Sequence, residues 1–92
     1  MENLTLGQKI KLFRKRKAIS QLELELRINA SNGSLSRIEN DLVNPTKETI
    51  WEIAKALNLN SFEIAYMFGI EIELNEVLEK KLNLFQNNFQ NF

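Results

Sequence analysis

Ser20-Gln21-Leu22-Glu23-Leu24-Glu25-Leu26-Arg27-Ile28 is followed by Asn29-Ala30-Ser31, and then by Asn32-Gly33-Ser34-Leu35-Ser36-Arg37-Ile38-Glu39. Leu24 and Ile28 share one helical face, and so do Leu35 and Ile38. Ser20 to Glu23 fits a capping box, and Ser31 is a cap for the helix after it. The spacing predicts one helix over about 21–28 and another over about 32–39. Asn29 tolerates the left-handed backbone that such a turn needs, though less easily than Gly. Two short helices joined this tightly make a helix-turn-helix. Spacing alone is a moderate signal, because similar helix pairs occur in proteins that touch no DNA.

Outward from this stretch the same grammar continues. Thr5-Leu6-Gly7-Gln8 fits a capping box, Thr46 after Pro45 is another cap, and Asn60-Ser61-Phe62-Glu63 is a looser box. Leu6, Ile10 and Phe13 share a face; so do Ile50, Ile53, Ala54 and Leu57, and also Phe62, Ala65 and Phe68. Five short helices are expected, at about 6–17, 21–28, 32–39, 47–57 and 61–68, with Gly69 as the last stop. No run alternates with period two, so the class is all-α. Helices this short are not stable alone. They must stack their apolar faces into one shared core.

Composition narrows the function. The 92 residues contain no Cys and no His. Disulfides, zinc fingers, iron–sulfur clusters and thiol nucleophiles are excluded, and the commonest general base and metal ligand is missing. No recognisable pair of catalytic carboxylates and no Gly-rich phosphate loop is present. The chain reads as no enzyme, with no metal and no cofactor. No stretch approaches the roughly 20 apolar residues of a membrane span, and Met1 to Gly7 does not read as a signal peptide, so a cytoplasmic location is expected.

The net charge is zero, which counts against a nucleic-acid binder at first sight. The distribution says otherwise. Residues 1–40 carry eight Lys or Arg against four acids, a balance of +4, and residues 41–92 carry the reverse. Such asymmetry points to a charged partner for one half, against the plainer reading of a solvated surface of mixed charge.

Ile19-Ser20-Gln21, Leu24, Ser31, Leu35-Ser36-Arg37-Ile38-Glu39, Asn44-Pro45-Thr46, Glu48-Thr49-Ile50, Ile53-Ala54 and Ala56-Leu57 stand in an order and spacing that resembles the XRE family. This is the phage-repressor and Cro type of helix-turn-helix domain. The resemblance covers about residues 6–69 and implies a compact five-helix, lambda-repressor-like domain. It also implies a transcriptional regulator that binds double-stranded DNA, usually as a homodimer on a palindromic operator. The rival reading is a protein-interaction module on the same fold, such as an antitoxin or a coactivator-like bridge.

The resemblance assigns roles residue by residue. Helix 32–39 would enter the major groove, with Asn32, Gly33, Ser34, Ser36 and Arg37 at base-contacting positions. Arg bonds bidentately to guanine and Asn to adenine, which makes Arg37 the best placed. Gln21, Asn40, Thr46, Lys47 and Arg14 match phosphate-contacting positions. Arg14 also matches an Arg that pairs with the Glu corresponding to Glu39, as a structural ion pair. The run Arg14-Lys15-Arg16-Lys17 reads either as helix-end charge or as added attraction to phosphate. Trp51 reads as a packed residue of the fourth helix.

Three positions depart from the family pattern. Glu25 stands where a small Ala usually packs between the two helices, and an unpaired buried carboxylate is costly. Gly33 offers no side chain for readout and could make room for Glu25. Asp41 stands where Gly commonly follows the recognition helix. Beyond residue 69, Leu78, Leu82, Phe85, Phe89 and Phe92 are spaced 4, 3, 4 and 3. That is an a/d seam of about two heptads. The chain therefore divides into a DNA-binding domain over 1–69 and an amphipathic helix over 70–92. That helix either dimerises or folds back on its own domain.

Overall fold

The computed structural model describes residues 3–69, which form five α-helices and no strand. They are α1 (Leu6–Arg16), α2 (Gln21–Arg27), α3 (Ser34–Glu39), α4 (Lys47–Ala56) and α5 (Ser61–Met67). The division at residue 69, the helix expected over 70–92 and its seam, Leu78 to Phe92, lie outside the described residues.

The starts follow the caps. Thr5 and Asn60 each make a complete capping box, with Gln8 and Glu63. Thr46 Oγ1 accepts from Thr49 N–H. Ser20 Oγ accepts from Glu23 N–H, but the return bond of a box is replaced. The Glu23 carboxylate accepts instead from Arg27 one turn on, at 2.8 Å.

The stops share one device. Ala18, Asn29, Asp41, Asn58 and Gly69 each follow a helix with φ between 54° and 71°. In the first four, the next N–H also reaches back to the helix: Ile19 to Arg14 O, Ala30 to Glu25 O, Leu42 to Arg37 O and Leu59 to Ala54 O. These are Schellman closures, and only one of the five left-handed positions uses Gly.

The apolar faces meet in one core built around Ile10, Leu24, Leu35, Ile53 and Leu57, all fully buried. α3 packs between α1 and α2; α4 joins α2 to α5, and α5 returns to α1. Phe13 meets Tyr66 edge to face at 6.0 Å, and Lys9 Nζ lies 4.4 Å from the centre of the same ring. Two expectations shift here. At α5 the residues packed on the core are Ile64, Tyr66, Met67 and, just past the helix end, Phe68, whereas Phe62 is 46% exposed. Trp51 is also 46% exposed, with Lys55 Nζ 5.9 Å from its ring. In α4, Ile50, Ile53 and Ala54 already fill the inward stripe, and Trp51 falls beside it. Among the described residues no helix is long and apolar enough to cross a membrane.

Candidate nucleic-acid interface

The second helix of the helix-turn-helix is shorter than its sequence suggests. It begins at Ser34, not at residue 32, because Gly33 has φ +85° and serves as the N-cap. A left-handed residue cannot sit inside a right-handed helix, so Asn32 and Gly33 belong to the turn. Ser31 does not cap with its side chain. Its carbonyl instead accepts from both Ser34 N–H and Ser34 Oγ–H, at 3.1 and 2.7 Å. Gly33 is needed for its backbone rather than to make room for Glu25. A Cβ built at residue 33 meets only the Arg37 guanidinium, at 3.6 Å.

Gly33 has no side chain with which to cap α3. The cap comes from α2: Leu35 N–H donates to Glu25 Oε2 at 3.0 Å. Glu25 is only 3% exposed. The family departure that looked costly is therefore a partnered carboxylate at a helix N-terminus, where the helix dipole favours negative charge.

The other end of α3 is held by charge as well. Glu39, 5% exposed, accepts from Arg14 Nε at 2.6 Å and from Arg14 Nη2 at 2.9 Å. Gln21 Nε2 donates to the same carboxylate at 3.0 Å, and Arg14 Nη1 donates to Ile19 O at 3.0 Å. The hydrogen bonds to Glu39 raise the Arg14 pKa above its ordinary value; burial opposes this, and the charge of Glu39 adds to it. As far as the titration of Arg14 governs it, this stability is present below the ordinary arginine value and is lost as pH rises through the raised folded value. Arg14 is 8% exposed, and three of its five N–H donors are taken by Glu39 and Ile19, which makes it the cation of a buried ion pair. The basic run thus splits: Arg14 is buried, while Lys15, Arg16 and Lys17 are exposed.

Asp41 ties the turn after α3 to the start of α1. Its carboxylate accepts from Thr5 Oγ1 at 2.6 Å and from Gly7 N–H at 3.0 Å. α1 and α3 come so close here that a Cβ on Gly7 would lie 2.5 Å from the carbonyl oxygens of Ile38 and Glu39. No buried side-chain N or O among the described residues lacks a hydrogen-bond partner.

With Leu35, Ile38 and Glu39 turned inward, α3 presents Ser34, Ser36 and Arg37 outward, flanked by Asn32 and Asn40. Arg37 is exposed, and its guanidinium makes no hydrogen bond or ion pair among the described residues. Asn40 Nδ2 donates to Ser36 O at 2.8 Å. Thr46 and Lys47 begin α4; Thr46 closes on Thr49, and Lys47 is exposed. The structure joins Arg14, Gln21 and Glu39 in one network, with Arg14 and Glu39 buried and Gln21 half-buried. Arg37, Thr46 and Lys47 stand apart from it.

Sequence reading missed the partners of Glu25 and Asp41 and the crowding at Gly7. A signal existed for the first two: each is an acid at a position where a neutral small residue is usual. An acid there implies a donor nearby, and helix N-termini are the nearest supply.

A family model described as helix-turn-helix matches residues 10–64, from the middle of α1 to the middle of α5. The immunity repressor protein of Bacillus phage phi105 is 33% identical over 73 residues, which is 79% of this chain and 49% of that protein. The chain spans about half the length of this curated relative. No solved structure matches it.

Proposed function

The chain belongs to the XRE-type helix-turn-helix family, and on that premise we propose that it is a sequence-specific DNA-binding transcriptional regulator rather than an enzyme. α3 enters the major groove of an operator, and regulation follows from occupying that site. The observation that carries this reading is the two-sidedness of α3. Its inner face is locked by Leu35, Ile38 and Glu39, while Arg37 is exposed and makes no hydrogen bond or ion pair among the described residues. Arg37 reads a guanine through O6 and N7, with Ser34, Ser36 and Asn32 beside it. Gln21, Asn40, Thr46 and Lys47 grip phosphates. Gln21 does so with what its bond to Glu39 leaves free. The likeness to a phage immunity repressor supports a repressor acting on DNA in the cytoplasm.

The chain acts as a homodimer, with Leu78, Leu82, Phe85, Phe89 and Phe92 as the dimerisation seam. A dimer places two copies of α3 about 34 Å apart, one turn of DNA. Selection of duplexes from a random pool tests the whole reading. Expected are a paired half-site at one-turn spacing and binding that weakens steeply with salt. A chain that retains no duplex and shows no salt dependence contradicts it.

The exposed apolar residues favour a second reading, a protein-interaction module on the same fold. Leu26 and Leu42 are 73% and 74% exposed, and Leu22 and Val43 are exposed as well. A stable protein complex without any duplex binding decides for that reading.

A further inference from the structure

We infer that Glu25 is the positioning residue of the recognition helix. From its place in α2 its carboxylate sets the pose in which α3 meets the operator. This rests on the reading of α3 as the DNA-contacting helix.

α3 has only six residues, less than two turns. A helix so short has little stability of its own and takes its direction from what holds it. Its N-cap, Gly33, supplies no side-chain bond, and Gly is also the most permissive backbone available. The entry to α3 would therefore be a free hinge without an external tie. Ser31 supplies one tie, but it lies in the same turn and moves with it. Glu25 supplies the tie to a different element. It sits in the last turn of α2, is 3% exposed, and accepts from Leu35 N–H at 3.0 Å. Its own carbonyl closes α2 by accepting from Ala30 N–H at 2.8 Å. One residue thus ends the first helix with its backbone and begins the second with its side chain. The angle between the two helices passes through it.

The base-contacting candidates lie within one turn of this bond. Ser34 and Ser36 are the neighbours of Leu35 in sequence, and Arg37 follows. Hydrogen-bonded base readout is sensitive to displacements of a few tenths of an ångström. Phosphate attraction is longer in range and tolerates them. Loss of the tie must therefore reduce discrimination between duplexes more than it reduces general affinity.

The test uses the full chain and a duplex that the native chain selects from a random pool, with a scrambled duplex as control. Glu25→Met keeps volume and helix propensity but removes the acceptor. Glu25→Gln keeps an acceptor oxygen. In the methionine variant the ratio of selected to scrambled affinity should fall at least tenfold, with scrambled binding changed less than twofold. The glutamine variant should stay within about threefold of the native ratio. A methionine variant that folds and keeps the native ratio overturns the proposal while leaving the DNA reading intact. A native chain that selects no duplex overturns the DNA reading itself. Exchange of the Leu35 amide in the native chain decides the case in which the methionine variant does not fold. Protection equal to that of the α2 interior supports the tie, and exchange at the rate of an open first-turn amide overturns it.

Discussion

The two faces of α3 are built on opposite principles. The inner face is apolar and ion-paired: Leu35 and Ile38 enter the core, Glu39 is clamped by Arg14 and Gln21, and Glu25 and Asp41 hold the entry and the exit. The outer face is polar: Asn40 bonds back to Ser36, Ser34 bonds back to Ser31 in the turn, and Arg37 makes no hydrogen bond or ion pair among the described residues. Six residues cannot hold themselves rigid. The lesson is that pose comes from behind the helix, which frees the front for a partner.

Substitutions behind the helix should cost stability. Arg14→Met is expected to have the largest effect, about 3–5 kcal/mol, because it leaves Glu39 buried without its cation. Pairing it with Glu39→Leu should recover much of that loss, since an apolar pair replaces a buried ionic one at little net cost. Both are read as urea midpoints at constant slope. An Arg14→Met chain as stable as the native one would break the comparison at its strongest point. Gly7→Ala comes next, at about 2–3 kcal/mol, because the new methyl meets backbone oxygens that cannot move alone.

Ala18→Gly should act in the other direction and stabilise by roughly 0.5–1 kcal/mol. Ala18 holds φ +56°, which Gly adopts without strain, and its side chain is exposed. The rise should appear in thermal melting without any change in binding. The smallest effect belongs to the start of α4. Lys47→Ala should leave stability unchanged, weaken every duplex alike and lower the salt slope by about one. A change in sequence preference instead would move Lys47 from phosphate to base contact.

The five helices were legible because caps and apolar spacing agree: Thr5 with Gln8, Thr46 before an Ile50–Ile53–Ala54 stripe, Asn60 with Glu63. The Arg14–Glu39 pair was legible only through resemblance, since the partners lie 25 residues apart and no local pattern links them. The start of α3 was misread because Asn32 and Gly33 continue the expected register, while the backbone of Gly33 is left-handed. The face of α5 was misread because Phe62 outweighs Met67 on hydrophobicity, yet Met67 is the residue turned inward. Glu25 and Asp41 were visible as anomalies but not as caps, because a tertiary cap depends on which helix end folds against the acid.

The central claim is that the front of α3 reads bases while its back only holds it. The direct test is the affinity of Arg37→Ala for the duplex that the native chain selects, measured beside a scrambled duplex at one salt concentration. The account predicts a loss of about 1–3 kcal/mol on the selected duplex, relaxed preference at one base pair, and native stability. Unchanged affinity and unchanged preference on the selected duplex would contradict it.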